Sequence, residues 1–192
     1  MKILAIVSII FFLARPALAD VNLDSDHDGL TDEMEIKFKT DINKPDTDGD
    51  GYADGLEIAH SYDPASKIKR AKLLKKIQID LKQQKLSYFL SRVKLGEFPI
   101  SSGKNGATPK GIFNILNKQP KAWSPYGLWM PYWLGLGRGK FGIHELPLWP
   151  NGRREGQNHL GHPVSHGCIR LGIGPAKLIY DWAEKGLPVE IK

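Results

Sequence analysis

From Ile77 onward apolar and polar positions alternate: Ile77, Ile79 and Leu81, a polar break at Lys82-Gln83-Gln84, then Leu86, Tyr88 and Leu90 on to Val93. Successive strand residues face opposite sides of a sheet, so a period of two bounded by a polar turn predicts a β-hairpin. Glu97–Ile100 and Gly111–Ile115 extend the β character, and glycine and proline punctuate the middle of the chain. Residues 175–185 read differently: Pro175 stands at the start, Leu178, Ile179 and Trp182 share one face, and Gly186 follows as a stop, which predicts a helix. Residues 65–76 are lysine-rich, with Ile68, Leu73 and Leu74 at near-helical spacing, and predict a short amphipathic linker helix. The expected fold is mainly β with one C-terminal helix.

The chain opens with Met1-Lys2, an apolar run from Ile3 to Leu13 broken by Ser8, and Ala17-Leu18-Ala19 before Asp20. This is the pattern of a secretory signal peptide over residues 1–19, too short to span a bilayer that needs about 20 apolar residues. The expectation is export to the periplasm or cell wall without a transmembrane segment; Arg15-Pro16 leaves an uncleaved N-terminal anchor as the other reading. The single cysteine, Cys168, can form no internal disulfide and does not lie at the cleavage site, which argues against a lipid anchor.

Charge divides the remainder. Residues 20–64 hold 14 acidic and 3 basic side chains, net −11, whereas residues 65–192 hold 22 basic and 7 acidic, net +15. The first part suits cations. The second suits a polyanion, which outside the cytoplasm means an anionic cell-wall or envelope polymer rather than nucleic acid.

Residues 24–35 place Asp24, Asp26, Asp28, Gly29, Leu30, Asp32 and Glu35 at positions 1, 3, 5, 6, 7, 9 and 12 of a twelve-residue loop, and Asp46, Asp48, Asp50, Gly51, Tyr52, Asp54 and Glu57 repeat the pattern. Alternate carboxylates can converge on one calcium ion, glycine permits the bend, the main-chain carbonyl of Leu30 or Tyr52 fills position 7, and the final glutamate can chelate. The 22-residue period is too short for two full helix-loop-helix hands. Residues 24–64 instead resemble thrombospondin type 3 repeats, which implies structural calcium in both loops of a module covering residues 20–64.

The chemical signal in the basic part is Ser165-His166-Gly167-Cys168-Ile169-Arg170, preceded by His144. A thiol needs a neighbouring base or positive charge to act as a nucleophile, and extended backbone would put His166, Cys168 and Arg170 on one side. Main-chain N–H groups around Gly167 could hold an oxyanion, and Arg170 could grip a carboxylate. Residue types alone leave two other readings open: His159, His162, His166 and Cys168 as zinc ligands, or a buried, inert cysteine. Trp123, Trp129, Tyr132 and Trp133 could wall a groove or fill the core.

Residues 77–192 resemble the catalytic domain of the L,D-transpeptidases, the YkuD family, in His144, in Ser165-His166-Gly167-Cys168 with Arg170, and in Thr108-Pro109-Lys110-Gly111-Ile112-Phe113. The resemblance implies a β-sandwich catalytic domain in which Cys168 attacks a peptidoglycan tetrapeptide stem and expels its terminal D-Ala, forming a thioester that an amine of another stem resolves into a 3→3 cross-link. It implies His144 as base, oriented by the carbonyl of Glu145. His166 and Ser165 support the site, Gly167 and Cys168 supply N–H donors, Arg170 helps to bind the donor, and catalysis needs no cofactor. Twenty residues separate His144 from Ser165, more than the compact family pattern, and the additional Trp149–Gln157 is expected to loop over the site, with His159 as the runner-up base. Hydrolysis of the thioester, release of a wall-tethered protein, and a non-catalytic calcium-stabilised wall-binding protein are the alternative functions.

Overall fold

The computed structural model describes residues 23–137 and 141–192. The expected signal peptide at 1–19 lies outside the described residues. No helix among those residues is long and apolar enough to cross a membrane.

Each acidic loop runs into a short helix, α1 (Asp32–Phe38) and α2 (Asp54–Ala59). Thr31 caps α1, its side chain accepting from the Met34 N–H at 3.4 Å. Eight strands follow: β1 (Lys75–Asp80), β2 (Lys85–Leu90), β3 (Val93–Ser101), β4 (Gly111–Trp123), β5 (Trp129–Leu136), β6 (Phe141–Glu145), β7 (Ile169–Leu171) and β8 (Pro188–Ile191), with α3 (Pro175–Trp182) before the last. The alternation from Ile77 is the β1–β2 hairpin, paired antiparallel from Lys75–Leu90 to Asp80–Lys85.

The strand order β1-β2-β3-β7-β6-β5-β4-β8 closes on itself, because β8 pairs parallel with β1. The expected sandwich is thus closed along both edges. Strand β3 pairs with β2 through Pro99 and then with β7 through Ile100 and Ser101, and β4 pairs with β8 over Gly111–Asn114 and with β5 beyond Ile115. Long strands that pass from one sheet to the other leave no exposed edge for aberrant pairing. The interior is aliphatic, with Ile77, Ile79, Leu86, Ile100, Leu136, Ile169 and Leu171 fully buried. Helix α3 packs Ala176 and Ile179 on this core.

The linker helix expected over 65–76 does not form. Tyr62 pairs antiparallel with Lys72, the Ala71 N–H bonds the Ile68 carbonyl at 3.0 Å, and Lys75 already opens β1. The apolar spacing misled because the three residues share no face: Leu73 turns inward, whereas Ile68 and Leu74 point to water. Leu73 joins Leu30, Met34, Phe38 and Ile58 of the acidic module against Leu90, Val93 and Leu95 of β2–β3, so the module docks on the barrel through an apolar contact.

Candidate active site and calcium loops

Parallel pairing of β6 with β7 sets His144 beside Arg170 and Ile143 beside Ile169. Cys168 immediately precedes β7 and packs against Ala122, Met130 and Trp133 of the β4–β5 ribbon. The two strands meet in a cleft of about 370 Å³ whose lining includes Cys168, His144, Arg170, Ser165, His166, Gln119, Trp123 and Tyr126. Cys168, His144 and Arg170, the residues singled out in the sequence, therefore share one cavity.

The His144 ring is buried, 2 % exposed, and lies against the Trp133 ring with centroids 5.9 Å apart. Its Nδ1 is 2.6 Å from the Glu145 carbonyl oxygen. A carbonyl can only accept, so Nδ1 carries the proton and Nε2 presents a lone pair. Burial lowers the imidazole pKa to about 4, the hydrogen bond to Glu145 opposing and the Arg170 charge adding, which keeps the ring neutral at pH 7. Burial pushes the Cys168 thiol up, while a main-chain hydrogen bond from Gly142 and the Arg170 charge pull it back. The resting pair is thus a thiol and a neutral base.

Two hydroxyls shape the turn that carries the cysteine. Ser165 Oγ accepts from the Gly167 N–H at 3.0 Å and donates to the Cys168 carbonyl at 2.6 Å. Thr108 Oγ1 accepts from the Gly103 N–H at 2.7 Å and donates to the Gly167 carbonyl at 2.9 Å. Gly167 was expected to offer an oxyanion donor, but its N–H is committed to Ser165, which leaves the Cys168 N–H as the donor of that pair to be counted on. His166 is exposed and stacks on Tyr126 at 4.1 Å, forming part of the rim.

Arg170 is 8 % exposed, and its Nε finds no acceptor among the described residues. Burial lowers its pKa, with the Glu155 charge opposing. Glu155 belongs to the segment after His144, which forms isolated bridges from Leu148 to Trp129 and to Arg154. Arg154 pairs with the buried Glu145 carboxylate and bonds the Leu146 carbonyl at 3.3 Å. The insertion is therefore anchored to the residue whose carbonyl holds His144. His159 stands 3.3 Å from Glu155 and is absent from the cleft lining, so the runner-up base is not at the thiol. His162 is exposed and contributes its carbonyl to Ser101 Oγ at 2.8 Å.

Among the described residues two groups of metal-binding side chains converge, Asp24-Asp26-Asp28 and Asp46-Asp48-Asp50, and the histidines with Cys168 form no such group. Gly29 and Gly51 make the loop bends at φ 94° and 97°. Among the described residues Asp26 Oδ2, Asp48 Oδ2 and Asp50 Oδ2 have no hydrogen-bond partner, and neither carboxylate oxygen of Glu35 nor Glu57 Oε2 has one. Burial and then the neighbouring carboxylates raise Glu35 and Glu57 to about 7. Orphaned, mutually repelling carboxylates at positions 3, 5 and 12 are what a divalent cation would satisfy, so the residues fit calcium. Position 9 behaves differently: Asp32 accepts from the Ser25 N–H and Oγ, both at 2.8 Å, and Asp54 from the Thr47 N–H at 2.9 Å and Oγ1 at 2.5 Å. These two carboxylates brace each loop to the helix that follows it. Asp28 Oδ2 also accepts from the Gly55 N–H at 2.7 Å, tying one repeat to the other.

Of the four aromatic residues considered for the groove, Trp123 and Trp133 line the cleft, while Tyr132 packs on the main core and Trp129 meets Trp123 edge to face with ring centroids 4.7 Å apart. Sequence reasoning missed Tyr126, Gly142 and the Arg154–Glu145 pair. It quoted Thr108 within a landmark but assigned it no contact.

Residues 74–191 match the family model described as the L,D-transpeptidase catalytic domain, YkuD. Residues 24–45 and 46–60 match the bacterial TSP3 repeat. A Bacillus licheniformis protein named as an L,D-transpeptidase, YkuD, is 37 % identical over 75 residues, 38 % of this chain and 39 % of that protein. The protein so named in Bacillus subtilis is 32 % identical over 99 residues, 50 % of this chain and 52 % of its own. The chain thus spans between two-fifths and about half the length of these relatives. The crystal structure of the L,D-transpeptidase from Stackebrandtia nassauensis superposes with a TM-score of 0.53 at 26 % identity, covering 72 % of this chain and 65 % of that one.

Proposed function

The chain belongs to the YkuD family of L,D-transpeptidase catalytic domains, and from that premise we propose that it is an exported cysteine acyltransferase that cuts the terminal D-Ala from peptidoglycan tetrapeptide stems and forms 3→3 cross-links. The observation that carries the reading is the neutral His144, its Nδ1 proton held by the Glu145 carbonyl and its Nε2 available, in the same cleft as Cys168.

In the proposed reaction His144 Nε2 takes the Cys168 proton as sulfur attacks the carbonyl carbon of the third stem residue. The Cys168 N–H faces the developing oxyanion, with charge stabilisation that grows as the tetrahedral state forms. Collapse breaks the C–N bond, the imidazolium proton goes to the departing D-Ala amine, and a thioester remains on sulfur. An acceptor amine then attacks the thioester, gives a proton to His144, and the thiolate leaves and is reprotonated. The unpaired Nε of Arg170 suits a donor carboxylate at the cleft floor. Water in place of the amine gives a carboxypeptidase from the same steps.

Calcium would be held by Asp24, Asp26, Asp28 and Glu35 in one loop and by Asp46, Asp48, Asp50 and Glu57 in the other. Bound there, it supplies positive charge that neutralises the carboxylates and orders the repeats.

Intact-protein mass spectrometry after mixing with a disaccharide-tetrapeptide tests the acylation step. The expected product is a tripeptide thioester adduct that Cys168→Ala lacks. An unmodified parent protein with calcium present, under conditions where iodoacetamide labels Cys168, contradicts the donor assignment.

A further inference from the structure

Residues 67–76 carry Lys67, Lys69, Arg70, Lys72, Lys75 and Lys76 and no acidic side chain. The segment lines neither the active cleft nor the aspartate triads. It forms a folded-back loop: Tyr62 pairs with Lys72, the Asp63 N–H bonds the Ala71 carbonyl at 2.7 Å, and a turn from Ile68 to Ala71 sets Lys67–Arg70 at the tip. Lys67, Lys69, Arg70 and Lys72 are exposed, and none forms an ion pair among the described residues.

The apolar side chains within this charge decide what it fits. Ile68 is 74 % exposed and Leu74 is 77 % exposed, although Leu73 beside Leu74 turns into the module–barrel contact. Arg70 also borders a hollow of about 290 Å³ lined by the exposed Tyr52 and Leu56 of the second calcium repeat together with Tyr62, His60 and the buried calcium-loop carboxylate of Glu57. A soluble polyanion would engage the cations and leave Ile68 and Leu74 in water. The interfacial layer of an anionic bilayer takes both, with apolar side chains below the headgroups and ammonium or guanidinium groups among the phosphates.

We propose that the 62–74 loop, with the adjoining Tyr52–Leu56–Arg70 hollow, is an edge that docks on a bilayer surface carrying anionic phospholipid. The contact is peripheral and reversible: a few cations and two aliphatic side chains give salt-sensitive attachment, not insertion. This edge is separate from the chemistry of Cys168 and does not depend on which substrate the cleft takes.

The test is cosedimentation of residues 20–192, which retain every described element, with vesicles in calcium. Mixed phosphatidylglycerol and phosphatidylcholine vesicles are compared with phosphatidylcholine alone. The mixed vesicles should retain the protein, phosphatidylcholine alone should not, and added salt should release it. Ile68→Ser with Leu74→Ser should weaken binding on the order of tenfold without changing the melting temperature, both side chains being largely in water. Lys67→Gln with Lys69→Gln should weaken it as well. Retention unaffected by the Ile68/Leu74 pair, with soluble polyphosphate bound as tightly as vesicles, would overturn the proposal in favour of a polyanion surface. Absence of binding to anionic vesicles at low salt overturns it outright.

Discussion

Alkylation of Cys168 by iodoacetamide as a function of pH reads the protonation state assigned to the cleft. Burial raises the thiol above its ordinary 9.0, and the neighbouring His144, lowered to about 4, holds no charge at neutral pH that could stabilise a thiolate. A thiol with a pKa at or above 9 is less than about 1 % ionised at pH 7, so the alkylation rate should climb about tenfold per unit between pH 6 and 8. A preformed thiolate–imidazolium pair would instead bring the rate to a plateau by about pH 8, because activated thiols titrate at about 3.5–7.5. The assignment also separates two roles of His144. His144→Ala should change the alkylation rate by less than about threefold, while thioester formation with a stem-peptide donor falls by about 10²–10⁴, the range of a general base. A plateau that His144→Ala abolishes would refute the neutral resting pair.

Three other perturbations follow from particular contacts. A Cβ at Gly142 would collide with the Leu134 carbonyl oxygen and lie 2.9 Å from the Trp133 ring, so Gly142→Ala should cost about 1–3 kcal/mol and lower Tm by several degrees; an unchanged melting curve contradicts the close approach of β5. Arg154→Ala strands the buried Glu145 carboxylate at a cost of about 1–3 kcal/mol. It should reduce kcat for thioester formation more than it raises KM, with partial rescue by Arg154→Lys, whereas equal effects of both variants on stability alone would deny Arg154 a part in orienting His144. Glu35 and Glu57, raised from 4.5 to about 7 without a cation, bind protons in the folded state that the unfolded chain has released. Chelated protein should therefore lose stability as pH rises from about 4.5 to 7, by up to the order of 3 kcal/mol per glutamate, and calcium should remove that slope; coincident melting curves with calcium and with chelator across this range contradict the loop assignment.

The fold was readable wherever one period dominated. The hairpin from Ile77, the helix after Gly174 and the doubled aspartate spacing are all local patterns, and local periodicity reports local structure. Residues 65–76 misread because Ile68, Leu73 and Leu74 happen to sit near helical spacing while a tertiary contact captures Leu73 alone. Closure of the sandwich was invisible for a related reason: pairing of β8 with β1 joins residues more than a hundred positions apart, and no local signal encodes it. In the active cleft, Cys168 and Arg170 stood out by residue type and spacing, while the resemblance to the YkuD family selected His144 and set aside the zinc and inert-thiol readings. Their supports did not, since Gly142, Tyr126 and Arg154 are ordinary residues whose roles arise from where β6, the β4–β5 loop and the insertion converge.

The most direct test of Cys168 acyl transfer is product analysis by mass spectrometry of residues 20–192 incubated with disaccharide-tetrapeptide in calcium, beside Cys168→Ala. Cross-linked dimers that have lost one D-Ala are expected from the parent and not from the variant. Tripeptide monomer alone would replace transpeptidation with hydrolysis, and intact tetrapeptide with no released D-Ala would contradict the central claim.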